Sequence, residues 1–364
     1  ESDALGGITR TSYNSAGKPT QVTDALGRAT QFSYDAQARL IATRYPDGTG
    51  ESIAYDANGN EVERSDRAGR TTRQVFDALD RLVQTVYPDG SSEATEYDAA
   101  GRVVASIDAR GNRTANAYDA VGHLVQTTDA TGGVARYEYD ANGNRTKATD
   151  ALGRVTLYEY DALNRLVRTT LPGGATRTTV WRTDGRKQSE TDETGNTTSY
   201  GYDALGRLTQ VTQTAGTSLI TAYGYDELGN KVSQTDAEGR VTRWSYDATG
   251  RPVTRTLPNG AVEHFEYDAS GNVTAHTGFD GRRTQYAYDS ADRRILTVYP
   301  DGSTLALTYT ATGQVASQTD GRGTTRITRD VLDRPLRIDQ PDGSFLAYTY
   351  DAAGNRIARE TPSG

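Results

Sequence analysis

An all-β fold is predicted: antiparallel β-hairpin repeats of period 21 forming one large spiralling sheet, a hollow shell or barrel-like cocoon segment. Three observations predict it. An aromatic anchor recurs at a constant interval, a glycine holds one fixed place in every period, and the runs between turns carry β-prone residues in alternation. Helix periodicity and helix caps are missing throughout.

The anchors fall at Tyr13, Tyr34, Tyr55, Phe76, Tyr97, Tyr118, Tyr139, Tyr160, Trp181 and Tyr202, with every step the same. Two extra residues in the "GTSLI" stretch move the next anchor to Tyr225, and the series resumes through Tyr246, Tyr267, Tyr288 and Tyr309. One residue is missing before Arg329, which stands in for an aromatic, and Tyr350 closes a set of 17 units. Counting the anchor as zero, position +1 is Asp in 14 of 17 units, so the series is a true repeat rather than a run of tyrosines.

Two turns per unit follow from the next regularities. Position +4 is usually Gly, with Ala, Asp or Asn as substitutes, and position +14 is Gly in all 17 units, from Gly27 to Gly364. A glycine so fixed points to a backbone that needs φ > 0. Before it the chain reads D-x-x-G, as in Asp24 to Gly27, or x-P-x-G, as in Tyr45 to Gly48 and Leu257 to Gly260. Asp first and Pro second are what a type I turn favours, and a left-handed glycine next makes the G1 bulge of a hairpin.

The runs between turns are about six or seven positions long and read as strands. In Arg154 to Asp161, Thr156, Tyr158 and Tyr160 share one face while Val155 and Leu157 share the other. An aromatic two positions before the anchor recurs at Tyr137, Tyr158, Tyr200, Tyr223, Phe265, Tyr286 and Tyr348. After the turn an aliphatic sits at +6 or +7 in 14 units, for example Leu166 and Val232, and this change of parity leaves the inward face undetermined.

Seventeen two-strand units give about 34 strands, a ribbon about 160 Å wide at ~4.8 Å per strand, and twist makes so wide a sheet coil or close. Rolled once, it would enclose a diameter of about 50 Å, too wide for side chains to fill. A propeller, with two units per blade, is the architectural rival. The series shows no alternation between odd and even units, and 17 units do not divide into blades.

Composition narrows the function. A net charge of −8, with Lys and Arg scattered among Asp and Glu, disfavours nucleic acid as a partner. The absence of cysteine excludes disulfides, thiolate metal sites and cysteine nucleophiles. No long apolar run could span a bilayer by helix, so no direct membrane insertion by this segment is expected.

Chemistry is sought in the histidines, the acids and the aromatic ladder. His123, His264 and His276 lie at unrelated repeat positions, and no nucleophile elbow, zinc helix or phosphate loop occurs. Each recurrent Asp belongs to a turn. The hexamer "YDANGN" at Tyr55 and Tyr139 resembles a calcium loop in isolation but lacks the later Glu such a loop needs, and reads as a turn between strands. The tyrosines form either a sugar-stacking surface or, as favoured here, a structural ladder whose hydroxyls find water or backbone. The expectation is a non-enzyme with no catalytic, cofactor-binding or metal-binding residue and no cofactor.

The unit Y-D-x-x-G-R-L with its second glycine turn, as in Tyr202 to Thr212 and Tyr97 to Asp108, resembles the Rhs/YD-repeat family over nearly the whole chain. That family includes bacterial Rhs effectors, shell components of insecticidal toxin complexes, wall-associated bacterial toxins and teneurins. The resemblance implies a β-sheet cocoon around a C-terminal toxin cargo of the same polypeptide, in an exported or cell-surface bacterial protein, with a secretion-apparatus component as a further partner. Its alternative is teneurin-like adhesion or carbohydrate binding. No D-P-x-G-L segment, toxin domain or terminal cap is found, so residues 1–364 are expected to be a single array of about 17 repeats, shell wall from a longer protein.

Overall fold

The computed structural model describes residues 1–362, and Gly364, the last of the glycine series, lies outside the described residues. Among the described residues there are 34 strands, from Arg10–Tyr13 to Arg356–Glu360, and every strand pairs antiparallel with its neighbours in sequence. One continuous meander results, without helices and without a pairing between first and last strand among the described residues. No helix of the described residues is long and apolar enough to cross a membrane. A propeller, which would break the sheet into blades, is not what forms.

Both turns of the unit have one geometry. In the tyrosine turn after Tyr34, the Asp35 amide donates to the Arg39 carbonyl at 3.0 Å and the Ala38 amide donates back to the Asp35 carbonyl at 3.0 Å. The glycine turn after Thr23 repeats this through Asp24, Gly27 and Arg28. Position +4 has positive φ in all 17 units, and position +14 in all 16 described ones. Where +4 is not glycine, as at Ala38, Asp80, Asn164, Asp292 and Asp333, φ is still 58–63°, at a steric cost of about 1–2 kcal/mol each. The Asp at +1 offsets part of that locally. Its Oδ1 accepts the amides of +3 and +5, as Asp35 does from Gln37 and Arg39.

The odd length of the period has a physical origin. After each tyrosine turn the register slips by one residue, so that Tyr34 pairs with Leu40 but Ser33 pairs with Ala42, leaving Ile41 as a bulge. The glycine turn has no such slip. A bulge at the same rung of successive units bends the sheet repeatedly in one sense. It also explains the wandering aliphatic: with two residues facing one anchor, +6 and +7 share a neighbourhood that simple alternation would separate.

Length changes are absorbed at the glycine-turn edge. The two extra residues extend the hairpin Leu208–Ala215 and Thr217–Tyr225, whose tip around Gly216 is exposed. The missing residue shortens a turn to Gly321 and Arg322, with Asp320 paired to Gly323. Anchors on either side keep their rung.

This is a one-layer sheet with almost no core. Among the described residues only Ala105 and Ala275 are buried apolar groups, with Glu263 and Thr297 as buried polar ones. Lateral order comes instead from the ladder. Twelve anchor tyrosines donate their hydroxyl to a backbone carbonyl of the preceding unit, as Tyr118 does to Val103 at 2.8 Å. Trp181 does the same with its indole N–H, and Arg329 with its guanidinium to Val315. Arg329 thus replaces an aromatic because it keeps the donor.

The ribbon coils over itself. The tyrosine turn at Asp289–Arg293 touches the glycine turns at Asp24–Arg28 and Tyr45–Thr49, which lie 25 and 23 strands earlier. One revolution therefore takes 24 strands, or twelve units, and each later turn sits between two earlier ones. At ~4.8 Å per strand a circular course of this length is about 37 Å across, backbone to backbone. The spiralling sheet expected from the sequence is what forms, narrower than a single roll would be: the sheet twists enough to overlap before its ends meet, and 34 strands make just under one and a half revolutions.

Candidate functional site: the wall and its seam

Two faces of unlike chemistry make the wall. One carries the anchors and the residues two before them, including Tyr137, Tyr158 and Trp244. The other carries small and charged residues tied by cross-strand ion pairs, such as Arg113 with Glu96 at 2.7 Å and Lys147 with Glu138 at 2.8 Å. The aromatic rungs are occupied. Arg102 holds its own Asp98 through Nε at 2.7 Å, reaches the Asp119 carbonyl of the next unit at 3.2 Å, and lies 5.0 Å over the Tyr118 ring. Arg39, Arg81, Arg251 and Arg334 repeat this stacking on the next anchor. Where +5 is histidine, His123 stacks on Tyr139 at 4.7 Å and binds Asp119 through Nδ1.

In the hexamer that resembles a calcium loop, the aspartate spends both carboxylate oxygens inside the turn. Asp56 Oδ1 accepts the amides of Asn58, Gly59 and Asn60, and Oδ2 accepts the Asn60 side chain. That side-chain bond is the leading reason the Asp56 carboxyl lies below its ordinary range. No group of three or more potential metal ligands forms among the described residues.

The histidines are not brought together. His123 belongs to a turn, His264 is exposed and pairs across strands with Thr254 and Thr277, and His276 lies on the opposite face, stacked on Phe265 at 4.7 Å. His276 Nε2 and Arg255 Nε flank the buried Glu263 at 3.0 and 2.7 Å. Sequence reading missed this cluster: Arg255 and His276 share position +9 of successive units, but that position holds other residue types elsewhere, and Glu263 lies on the strand between them. Burial and then the bond to Glu190 push the Tyr200 hydroxyl up to about 12.

Between revolutions the contacts are ionic. Arg28 forms two bonds to the Asp292 carboxylate at 2.8 and 3.0 Å and one to Ser270 Oγ at 2.8 Å, while its Nε holds Asp24 at 2.6 Å. Arg70 grips Asp333 the same way at 3.0 and 2.8 Å, and Thr312 adds a third donor to that carboxylate. In the intervening turns Asp47 approaches Arg293 at 3.7 Å and Asp89 approaches Arg334 at 3.5 Å, and Arg110 reaches Asp351 at 3.4 Å. The bond from Arg28 lowers the Asp292 pKa, the bond from Arg70 lowers that of Asp333, and the two guanidiniums are raised in return.

Sequence reading missed the seam. Its signal is small but present: Asp at +4, where glycine costs nothing, and Arg directly after a glycine turn. Arg28 and Arg70 are two units apart, as are Asp292 and Asp333, so alternation between units exists in the seam although the anchors hide it.

The RHS repeat family model matches residues 2–49, 55–92, 97–134, 118–155, 139–176, 183–218, 225–262 and 267–304. No curated protein matches the chain. Among solved structures it is similar to the Tc holotoxin pore of Photorhabdus luminescens, at 17% identity and a TM-score of 0.64 over 97% of this chain and 25% of that one. The TcdB2–TccC3 protein without its hypervariable C-terminal region gives 18% identity and a TM-score of 0.65, over 97% and 25% of the two chains. TcdB2–TccC3–Cdc42 gives 18% and 0.64, over 98% and 25%. The chain thus spans about a quarter of the length of the structures it matches.

Proposed function

The chain belongs to the RHS repeat family, and on that premise we propose that it is a stretch of non-catalytic shell wall enclosing a polypeptide cargo, a toxin segment of the same exported protein. The observation that carries this is the one-layer sheet coiled at 24 strands per revolution, with almost no core among the described residues. With about 5 Å of side chain on each side, a coil about 37 Å across leaves a lumen of about 27 Å. A folded domain of about 100 residues, with a radius of gyration of ~13 Å, is about 34 Å across and does not fit, so the cargo is held partly unfolded. The similar solved structures, one of which lacks a hypervariable C-terminal region, support a shell with a variable companion segment.

The occupied tyrosine ladder weighs against adhesion through sugar stacking, because the hydroxyls and several ring faces already have protein partners. The test is limited proteolysis of the whole parent polypeptide before and after the seam is opened by acid. Protection of the cargo that ends on opening supports encapsulation. A cargo cleaved equally fast in both states contradicts it.

A further inference from the structure

The seam uses one stretch of the glycine-turn edge, from Asp24 to Asn112, and among the described residues no later turn lies on the same edge from Asp129 onward. Arg240 and Arg282 on that bare edge occupy the position of Arg28 and Arg70, directly after their glycines. They are also two units apart, as Arg28 and Arg70 are, with a proline turn between them (Pro258, as Pro46 lies between the seam arginines). Arg240 holds its own Asp236 at 2.7 Å, as Arg28 holds Asp24, and its head already takes a second carboxylate, that of the exposed Glu238 at 2.8 Å, which a docking acid would replace. The difference is cover: side-chain exposure is 16% and 18% for Arg28 and Arg70, against 58% and 76% for Arg240 and Arg282.

From this we infer that the bare glycine-turn edge around Arg240 and Arg282 is a docking surface for the tyrosine-turn edge of another RHS-repeat sheet. The partner is defined by its chemistry: a carboxylate at +4 of two tyrosine turns two units apart, as in Asp292 and Asp333. Continuity with the existing seam, charge complementarity and equal spacing all specify it. A second copy of the present chain does not qualify. Its free tyrosine-turn edge offers one +4 carboxylate, Asp80, whereas the seam uses two that are two units apart, and the +4 positions two units either side of Asp80 are Ala38 and Gly122.

That failure supplies the experiment. Gly122→Asp with Asn164→Asp places two carboxylates two units apart on the free tyrosine-turn edge, at positions whose φ is already positive and where the added Cβ of residue 122 meets open space. Light scattering at low ionic strength is expected to show the double variant associating at a concentration about tenfold lower than the parent chain. Association should vanish at high salt and when Arg240→Ala and Arg282→Ala are added. Asn164→Asp alone, an amide-to-acid change on an unaltered backbone, should give the same effect weakened, and serves if the double variant misfolds. A variant that stays monomeric, or that associates equally well without Arg240 and Arg282, overturns the inference.

Discussion

Two stretches of one edge, built from the same turn, behave differently. Where a later revolution lies on it, Arg28 and Arg70 are covered, and the carboxylates of Asp292 and Asp333 are gripped by several donors. Where nothing lies on it, the equivalent arginines reach only their own turn. The tyrosine-turn edge shows the same contrast: Leu332 at a docked tip is half-buried, whereas Leu228, at the same place in a bare tip, is 80% exposed. Repeat grammar makes the strand and the turn, then, and substitutions within it decide which turn meets which.

The largest effect is expected from breaking the latches. Arg28→Ala with Arg70→Ala leaves Asp292 and Asp333 without their arginine partners and should loosen the seam by about 2–4 kcal/mol, because each arginine makes charge-assisted bonds at a half-covered site. Hydrogen exchange at residues 289–293 and 330–334 reads the loss. Arg154→Ala with Arg240→Ala, on the bare edge, should cost under about 0.5 kcal/mol per residue. Equal costs would erase the contrast.

Acid should open the same seam. Asp292 and Asp333 have folded-state pKa values below the unfolded value, so their contribution is present above about pH 3.9 and lost as pH falls through the depressed folded value. Exchange of the docked turns measured on descending pH should therefore rise below the ordinary carboxylate range. A seam that opens near neutrality would place the control elsewhere.

A smaller effect separates strain from function. Asp333→Gly relieves about 1 kcal/mol of left-handed strain yet loses the latch, and should destabilise. Asp80→Gly, on the bare edge, gains the same relief and loses only bonds from two exposed asparagine amides, so it should be near neutral. Thermal melting of the two variants compares them directly.

The smallest contrast should be none. Tyr34→Phe beneath the second revolution and Tyr139→Phe outside it each lose one hydroxyl bond to backbone, at 2.9 and 2.8 Å, worth about 1 kcal/mol by denaturant titration. Equal losses would show that the ladder works within a revolution and takes no part in the seam.

Most of the fold was legible because it is local. Turn residues, left-handed glycines and the anchor period all act within a single unit, and each is repeated often enough to read. The bulge after each tyrosine turn was visible only as an inconsistent aliphatic position, since a register slip has no residue of its own. The seam was invisible for a different reason: Arg28 and Asp292 lie 264 positions apart, and their meeting depends on curvature summed over 24 strands, which no single unit specifies. Even so, Asp292 and Asp333, each an acid in a glycine's place, marked where to look.

The seam and the lumen both depend on the coil of 24 strands per revolution, and a density map of the chain tests that coil directly. The expected result is a hollow coil about 37 Å across between backbones, with the tyrosine turn at Asp289–Arg293 seated between the glycine turns at Asp24–Arg28 and Tyr45–Thr49. A solid particle, or a revolution that sets Arg28 beyond ionic reach of Asp292, would be incompatible with that coil.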